Sequence, residues 1–355
     1  MTMEESGDLA AMFRRLILNT GPVSIAHFMA ESNARYYNSA DPLGSAGDFI
    51  TAPEISQMFG ELIGLWLADV WMRAGRPDHA HYVELGPGRG TLARDALRAA
   101  RRYGLEPRVH LVETSVALRD VQFANVPGAH WHDDLSTLPA SGPILLVANE
   151  FLDALPIRQL VSTEAGWRER KVGLEGTGES GRFIFVTGSQ PMDSAVPEAQ
   201  RDAEPGTIIE SSPAAAAVIY EVAGRLEQQG GAALFIDYGH AEERTGSTLQ
   251  AVRAHRKVDP FASPGQADLT AHVDFAVLSR IAESRGAKWL GTATQGGWLR
   301  QLGIEARAAA LSRSAPEHAD AIRAALHRLA DDEQMGALFK VMGLAASGWP
   351  DGAGF

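Results

Sequence analysis

A carboxylate and three glycines follow an apolar run early in the chain. The stretch "VELGPGRGTLARD", residues 83–95, places Glu84 before Gly86, Gly88 and Gly90. A glycine-rich turn that opens a helix is typical of a site for an anionic or nucleotide-like ligand, although a tight strand-to-helix turn needs glycines in any case. A dinucleotide-binding turn has the spacing G-x-G-x-x-G and holds a pyrophosphate, which the acid at position 84 would repel. The turn therefore favours S-adenosylmethionine, which carries an ammonium and a sulfonium and no phosphate.

Acids also follow the next two β-rich runs. "RVHLVE" ends in Glu113, which is placed to accept hydrogen bonds from both ribose hydroxyls of an adenosyl cofactor. "HWHDDL" contains Asp133 and Asp134, either of which could accept the adenine amino group, while the alternative is that one of them caps the next helix. Because the carboxyl ends of parallel strands line one crevice, we expect the glycine turn and these acids to form one cofactor site.

The run "ILLVANEFLDALP" supplies the candidate catalytic residues. It ends at Asn149 and Glu150, and Asp153 follows in the loop. A carboxylate in an apolar stretch is costly to bury alone, so Glu150 is expected to bind the methyl acceptor or, alternatively, to cap a helix or pair with an internal arginine. We predict Glu150 and Asp153 as catalytic and Asn149 as a cofactor contact. The next run, "FIDYG", places Asp237 on the same rim as a candidate substrate residue.

A mostly parallel sheet is needed to bring these positions together. From His81 onward, short runs rich in Val, Ile and Leu alternate with helix-like segments, which is typical of an α/β sheet. We therefore predict a helical N-terminal addition over residues 1–80 and a catalytic α/β domain over residues 81–355. Two stretches interrupt the alternation and are predicted as insertions, at about 157–205 and at about 241–272.

The polar connector "YYNSADPLGSAGDFITAPE" precedes the sheet. Its glycines and prolines predict a loop, and we expect it to cover the bound ligands as a lid in which Asp48, Thr51 and Glu54 contact the substrate. The second insertion carries His255, Asp268 and His272, whose roles the sequence does not assign. Their spacing matches no metal-ligand motif, so no metal site is predicted.

Composition excludes several classes of site. The chain has 355 residues, no cysteine, and 44 acidic against 32 basic residues, which gives a net charge of −12. The absence of cysteine excludes disulfides, thiolate-ligated metals and a thiol nucleophile. The acidic balance argues against a general nucleic-acid-binding surface. No apolar run approaches the roughly 20 residues of a membrane helix. The first residues resemble neither a secretory signal nor a transit peptide, so the sequence predicts a cytoplasmic protein.

Six ordered blocks between Tyr36 and Phe275 are similar to the MidA-like family of S-adenosylmethionine-dependent methyltransferases. The blocks are "GDFITAPEISQMFGELIG", "VELGPGRGTL", "HLVETS", "NEFLDALPIRQ", "GGAALFIDYGH" and "DLTAHVDF". The resemblance implies a seven-strand class I methyltransferase sheet of Rossmann-like type, with S-adenosylmethionine as cofactor. The family's mitochondrial member has "HEFFD" where this chain has "NEFLD", so Glu150 and Asp153 match the family and Asn149 does not.

The same resemblance implies a protein substrate. In the mitochondrial member the acceptor is an arginine of a hydrogenase-like subunit of respiratory complex I, methylated during assembly. The two carboxylates would then orient a guanidinium and localise its charge. Two alternatives stay open, namely a non-catalytic methyltransferase-like assembly chaperone and a methyltransferase for another protein side chain or a small molecule. An oxidoreductase with a phosphate-bearing cofactor would need the G-x-G-x-x-G turn, which is absent.

Overall fold

The computed structural model describes residues 9–39, 51–176, 178–254 and 256–355. Asp48 and His255, two residues singled out from the sequence, lie outside these described residues. Within the described ranges, no helix is both long and apolar enough to cross a membrane.

The helices of the described residues are mostly short, and the longest have 17 residues. In chain order they are α1 (Leu9–Thr20), α2 (Ile25–Ser39), α3 (Ala52–Ile55), α4 (Gln57–Arg73), α5 (Thr91–Arg101), α6 (Val116–Asn125), α7 (Pro213–Gln229), α8 (Phe275–Ser284), α9 (Gln295–Gln301), α10 (Ile304–Ser314) and α11 (Ala319–Ala330).

The strands alternate with these helices in the middle of the chain and follow one another directly elsewhere. They are β1 (Val23–Ser24), β2 (His81–Leu85), β3 (Arg108–Val112), β4 (His130–His132), β5 (Ile144–Asn149), β6 (Arg158–Thr163), β7 (Gly166–Glu175), β8 (Arg182–Pro191), β9 (Ile208–Ser211), β10 (Gly231–His240), β11 (Gln250–Arg253), β12 (Arg256–Val258), β13 (Asp268–Thr270), β14 (Val273–Asp274), β15 (Lys288–Thr294) and β16 (Phe339–Ala345).

The chain forms two compact units that divide it differently from the predicted domains. The larger unit comprises Asp41–Asp153, Ala216–Glu242 and Val273–Phe355. The smaller unit comprises Met1–Ala40, Ala154–Ala215 and Glu243–His272. The predicted N-terminal addition over residues 1–80 is therefore not one unit, because its first part belongs with the two insertions and its second part with the main sheet. The cause is long-range pairing of β1 with β7, in which Val23 lies opposite Val172.

The larger unit is built on one sheet with strand order β15-β16-β10-β5-β2-β3-β4. Neighbours from β10 through β4 are parallel, whereas β16 runs antiparallel to both β10 and β15. The two-residue strand β14 pairs with the end of β10 and adds an eighth strand. All residues of β2 and β5 are buried, as expected for central strands covered on both faces.

Helix α4 packs against α5 in the larger unit. Ile63 and Trp66 of α4 are fully buried in the core cluster that also contains Leu145 of β5. Burying a side chain of this size stabilises the fold by about 1.5–3 kcal/mol. These contacts hold α5, and with it the end of the glycine turn, in a fixed position.

The smaller unit contains antiparallel sheets. One sheet has the order β1-β7-β6-β9 with β8 on β7, and the other has the order β12-β11-β13. Asn33 of α2 links segments of this unit, because its Nδ2 donates to the carbonyls of Leu269 (2.8 Å) and Ala154 (3.0 Å). Asp268 is buried and accepts a hydrogen bond from the Tyr37 hydroxyl at 2.8 Å, which gives this residue a structural role. The backbone N–H of His272 donates to Thr248 Oγ1 at 2.9 Å.

Candidate functional site

The glycine turn connects β2 to α5, and all three predicted glycines have positive φ. The angles are +61° at Gly86, +53° at Gly88 and +78° at Gly90, a region that side chains disfavour. A Cβ on Gly86 would lie 2.8 Å from Cδ2 of Phe151, and one on Gly90 would lie 3.1 Å from Cγ2 of Val126. Glycine is therefore required at Gly86 both by backbone conformation and by space, and the turn lies directly against the residue that follows Glu150.

Glu84 is buried at the end of β2, with 2% of its surface exposed. Its carboxylate accepts a hydrogen bond from the Tyr82 hydroxyl at 2.6 Å and another from the backbone N–H of Ala93 in the first turn of α5. Burial raises the pKa of Glu84 to about 8, and the two hydrogen bonds oppose this rise. The observed role of Glu84 is to fix the start of α5 relative to β2, since a first-turn N–H has no partner within its own helix.

Glu113 directly follows β3 and is mostly buried. Its Oε1 accepts from the backbone N–H of Ser115 at 2.8 Å, and its Oε2 accepts from Nε2 of Gln122 at 3.3 Å. Burial raises the pKa of Glu113, while these hydrogen bonds and the positive charge of Arg119 act in the opposite direction. The carboxylate is thus held in one orientation at the carboxyl end of the sheet, where the ribose contact is predicted.

Two amide side chains of α6 support the glycine turn, and sequence reasoning did not find them. Gln122 is fully buried, and its Nε2 donates to the carbonyl of Gly88 at 2.7 Å as well as to Glu113. Its Oε1 accepts from Nε1 of Trp131 at 2.8 Å. Asn125 donates to the carbonyl of Arg89 at 2.8 Å. The available signal was a pair of amides three residues apart on one helix face, but their spacing does not indicate their partners.

Asp133 and Asp134 differ in what they contact. Asp133 is 82% exposed and pairs with Arg119 at 2.5 Å. Asp134 accepts hydrogen bonds from the backbone N–H and the hydroxyl of Ser136, at 2.7 and 2.5 Å, and these bonds lower its pKa. Asp134 therefore has the alternative role considered from the sequence, capping the short helical turn Leu135–Thr137. The adenine contact stays a prediction for both residues.

Glu150 has an unusual backbone conformation at the end of β5. Its φ is +51°, which for a side-chain-bearing residue costs about 1–3 kcal/mol and is found mainly where function requires it. Its Oε1 accepts from the backbone N–H of Ala52 and from Nδ2 of Asn149, both at 3.1 Å. Burial raises the pKa of Glu150 to about 7, with a further upward contribution from Asp153, whereas the Ala52 and Asn149 hydrogen bonds and Arg328 of α11 lower it.

Asn149 provides an open hydrogen-bond acceptor beside Glu150. The residue is 8% exposed, and its buried Oδ1 has no hydrogen-bond partner among the residues that the structure describes. A buried acceptor of this kind normally has a partner, so Asn149 is suited to accept a hydrogen bond from a ligand.

Asp237 holds the loop of residues 151–153, which follows Glu150, through its side chain. Its Oδ2 accepts from three consecutive backbone N–H groups, those of Phe151 (3.2 Å), Leu152 (2.9 Å) and Asp153 (3.2 Å). Its Oδ1 accepts from the N–H of Tyr238 at 3.0 Å. Burial raises the pKa of Asp237, and the neighbouring carboxylates of Asp153 and Glu150 raise it further. Asp153 is itself buried. In this structure Asp237 bonds to the backbone after Glu150, and its contact with a substrate stays a prediction.

The end of the predicted lid reaches Glu150 through its backbone. Thr51 precedes α3, its carbonyl accepts from the N–H of Glu54 at 2.9 Å, and its side chain caps no N–H of that helix. The next residue, Ala52, donates to Glu150. Across the described part of the chain, no group of three or more His, Asp or Glu side chains is arranged to hold a metal ion.

These residues fit an adenosyl cofactor. The turn at Gly86 and Gly90 leaves no room for side chains, Glu113 presents a fixed carboxylate, and Asn149 presents an open acceptor. All three lie at the carboxyl ends of neighbouring parallel strands, which is where sheets of this type bind nucleotides.

Comparison with known proteins agrees with this geometry. A family profile of S-adenosyl-L-methionine-dependent methyltransferases matches residues 62–293. The chain is 37% identical over 374 residues to the Drosophila melanogaster protein named "Protein arginine methyltransferase NDUFAF7 homolog, mitochondrial", covering 95% of this chain and 85% of that protein. It is 38% identical over 341 residues to the Xenopus tropicalis "Protein arginine methyltransferase NDUFAF7, mitochondrial", covering 86% and 78% of the two chains.

A solved structure is similar over nearly the whole length. The crystal structure of a COG1565 superfamily member from Burkholderia thailandensis, bound to S-adenosyl-homocysteine, superposes with a TM-score of 0.82 at 29% identity, covering 97% of this chain and 93% of that one. The α/β methyltransferase fold and the S-adenosylmethionine cofactor are thereby confirmed. The expected cytoplasmic location is wrong, because the curated relatives are named as mitochondrial proteins. The chain belongs to the MidA-like family of S-adenosylmethionine-dependent methyltransferases.

Proposed function

We propose that this methyltransferase transfers the methyl group to an arginine side chain of a protein substrate. The observation that carries the proposal is Glu150, a partly buried carboxylate in a strained conformation next to the glycine turn. Asp153 is a second buried carboxylate in the same loop, and Asp237 fixes that loop. A cluster of acids is the expected environment for a cationic acceptor such as guanidinium. The names of the relatives as protein arginine methyltransferases support the same substrate class.

The cofactor site that we propose follows the carboxyl edge of the sheet. Its members are the turn residues, the acids after β3 and β4, and the last residue of β5, namely Glu84, Gly86, Gly88, Gly90, Glu113, Asp133, Asp134 and Asn149. The assignment of the sheet to the seven-strand class I arrangement belongs to this proposal. It is supported by the continuous order of seven strands, in which only β16 runs in the direction opposite to the other six.

Glu150 is proposed to bind and orient the guanidinium. When bound, S-adenosylmethionine supplies an electrophilic methyl group on a sulfonium. A protonated guanidinium has a pKa above about 12 and is a poor nucleophile. Glu150 would accept charge-assisted hydrogen bonds from it, keep positive charge away from the attacking nitrogen, and take up the proton that this nitrogen loses. A pKa of about 7 suits that last step, because a base works best when its pKa is near the working pH.

Thr51 and Glu54 are proposed to contact the protein substrate, since Ala52 between them already bonds to Glu150. Asp48, outside the described residues, is proposed for the same role from its place in the connector. The acceptor that we propose is an arginine of a hydrogenase-like subunit of complex I, and its support is the family resemblance.

Quantitative methyl-peptide proteomics tests the proposal. Cells that lack the protein are complemented with the wild type, with Glu150→Gln, or with Glu106→Gln, an exposed glutamate that serves as the matched control. We expect arginine-methylated peptides that depend on the wild type and on the control, and that disappear with Glu150→Gln while that variant still binds S-adenosylhomocysteine in calorimetry.

Two results would separate the alternatives. Dependent methylation on another residue type, or on a small molecule, would contradict the arginine assignment and leave a methyltransferase of different specificity. Cofactor binding with no dependent methylation at all would support a non-catalytic assembly chaperone.

A further inference from the structure

Four histidines occupy one face of the sheet. His81 begins β2, His110 lies in β3, and His130 and His132 lie at the two ends of β4. The strand register places Val83 opposite His110 and His110 opposite His130. Because residues two apart on a strand share a face, His81 lies on the face of Val83 and His132 on the face of His130, so all four histidines lie on one face. The opposite face carries Tyr82, Glu84 and Trp131, which contact α5 and α6.

This face is open because its crossover contains little helix. The β2–β3 and β3–β4 connections are the full helices α5 and α6. From β2 to β4 the chain moves towards one edge of the sheet, and from β4 to β5 it moves back past β3 and β2. Because crossovers are right-handed, this return connection lies on the face opposite to α5 and α6, which is the face of the histidines. That return has only the one-turn helix Leu135–Thr137 among its described elements. A shallow, open cavity of about 490 Å³ results. It is lined by His81, Arg108, His110, Ala129, His130, Trp131, His132, Thr137 and Pro139.

Three of the histidines form a continuous hydrogen-bonded chain. Nε2 of His81 lies 2.9 Å from the carbonyl oxygen of Ser141, and its Nδ1 lies 3.0 Å from Nε2 of His110. Nδ1 of His110 lies 3.0 Å from Nε2 of His132, whose Nδ1 lies 2.8 Å from Oγ1 of Thr137. Every ring nitrogen of the three residues therefore has a partner.

The carbonyl at one end determines the protonation pattern of the whole chain. A carbonyl only accepts, so His81 carries hydrogen on Nε2 and, when neutral, accepts at Nδ1. His110 must then donate from Nε2 and accept at Nδ1, and His132 does the same, which leaves the Thr137 hydroxyl as the donor to His132. One added proton can also be accommodated. The ring that receives it donates from both nitrogens, each hydrogen bond between that ring and Thr137 then reverses its donor and acceptor, and the Thr137 hydroxyl becomes the acceptor. With a second added proton, one pair of neighbouring histidines would point an N–H group at each other, and that hydrogen bond would be lost. The three histidines thus form a unit that holds either no extra proton or one.

We propose that this cavity binds a dianionic tetrahedral oxyanion, such as sulfate or phosphate, and that the histidine chain takes up one proton when the anion binds. Arg108 and His130 are exposed and line the cavity, so their N–H groups are available to the anion. Burial and neighbouring positive charge lower the pKa of His81, His132 and His110, the last to about 4, which keeps the chain neutral without a ligand. An anion reverses the sign of the local field and favours the protonated chain.

Charged groups around the chain set where the anion binds. Arg108 and His130 act on His110, and Arg108 and His79 act on His81. On His132, His130 and Arg119 lower the pKa, whereas Asp133 and Asp134 act in the opposite direction. Asp133 is paired with Arg119, and Asp134 caps the Leu135–Thr137 turn. The anion is therefore expected at the Arg108 end of the cavity, away from these carboxylates.

Sulfate calorimetry on the full chain tests the proposal, since sulfate stays a dianion between about pH 5 and 8, where histidines titrate. We expect affinity to rise as the pH falls, by up to about tenfold per pH unit for one linked proton. Repeating the titration in buffers of different ionisation enthalpy should show uptake of one proton. Arg108→Gln should weaken binding at every pH, and Arg102→Gln, which removes an arginine that does not line the cavity, should leave it unchanged.

His110→Phe in a His130→Asn background should remove the dependence on pH, because His130 lines the same cavity and can itself take up a proton. If that variant does not fold, the imidazole ¹⁵N shifts of the wild type should report one proton shared among His81, His110 and His132 when sulfate is added. Failure of sulfate to bind, binding without proton uptake, or equal binding by Arg108→Gln would overturn the proposal.

Discussion

Replacing Gln122 by methionine would remove three hydrogen bonds made by one fully buried side chain of similar volume. The bonds to the Gly88 carbonyl and from the Trp131 indole join neutral groups and are worth about 0.5–1.5 kcal/mol each. The bond to the Glu113 carboxylate is charge-assisted and is worth about 1.5–3 kcal/mol. Because Trp131 is only partly buried and water can replace its partner, we expect the free energy of unfolding to fall by about 3 kcal/mol.

The cofactor should respond as well, because Gln122 holds both the glycine turn and the proposed ribose-binding carboxylate. We expect calorimetric affinity for S-adenosylhomocysteine to fall at least about tenfold, which is about 1.4 kcal/mol. Asn125→Leu is the matched control, since Asn125 supports the same turn through one bond to Arg89 and should cost about one third as much stability. Unchanged cofactor affinity in a folded Gln122→Met protein would refute the positioning role.

Further predictions concern the acids and the turn. Glu150→Gln should bind S-adenosylhomocysteine within about twofold of wild type, but its methyl transfer should be about 100-fold or more slower, as expected for the loss of a general base. The wild-type transfer rate should rise with pH through about 7 as Glu150 deprotonates. A transfer rate that does not change with pH in this range would contradict a base at this position. Glu113→Ala should weaken cofactor binding by about 1–3 kcal/mol, and calorimetry showing no loss would place the ribose elsewhere. Gly88→Val should abolish cofactor binding because position 88 has positive φ, and retained affinity would exclude this turn as the site. Burial raises the folded-state pKa of Glu84 to about 8, so this residue should make the free energy of unfolding fall as the pH rises from about 5 to 8. Glu84→Gln should make the free energy of unfolding, measured with urea, depend less on pH in this range. The same pH dependence in the variant would contradict a raised pKa at Glu84.

The convergence of Gly86, Glu113, Glu150 and Asp237 could be predicted because strand periodicity and parallel order determine where strand ends meet. Short apolar runs of the right length locate the strands, and the residue after each run must then lie at one edge of the sheet. The glycine turn could also be predicted from the sequence, because glycine is the residue that adopts positive φ at little cost. These inferences depend on local pattern alone.

The contacts within that edge were not accessible from the sequence. Nothing in the residue type of Glu150 indicates a φ of +51°, because the surrounding fold imposes it. Arg328 influences Glu150 from a helix far along the chain, and no local pattern connects the two. The pairing of β1 with β7 was inaccessible for the same reason, since it joins residues separated by well over a hundred positions.

The glycine turn and the loop of residues 151–153 are joined by direct contacts. Gly86 packs against Phe151, Phe151 is one of the three residues whose N–H groups bond to Asp237, and Glu150 immediately precedes it. A shift of the turn would therefore move the backbone that presents Glu150, and a misplacement of about 1 Å in a reacting group can cost about 100-fold in rate. The strain at Glu150 is maintained by the same contacts, because Asp237 fixes the three residues after it while Ile236 accepts the hydrogen bond from its N–H at 2.9 Å. The proposed binding of the cofactor to the turn and the proposed orientation of the acceptor by Glu150 thus depend on one set of contacts, which accounts for a partly buried, strained acid at the end of β5.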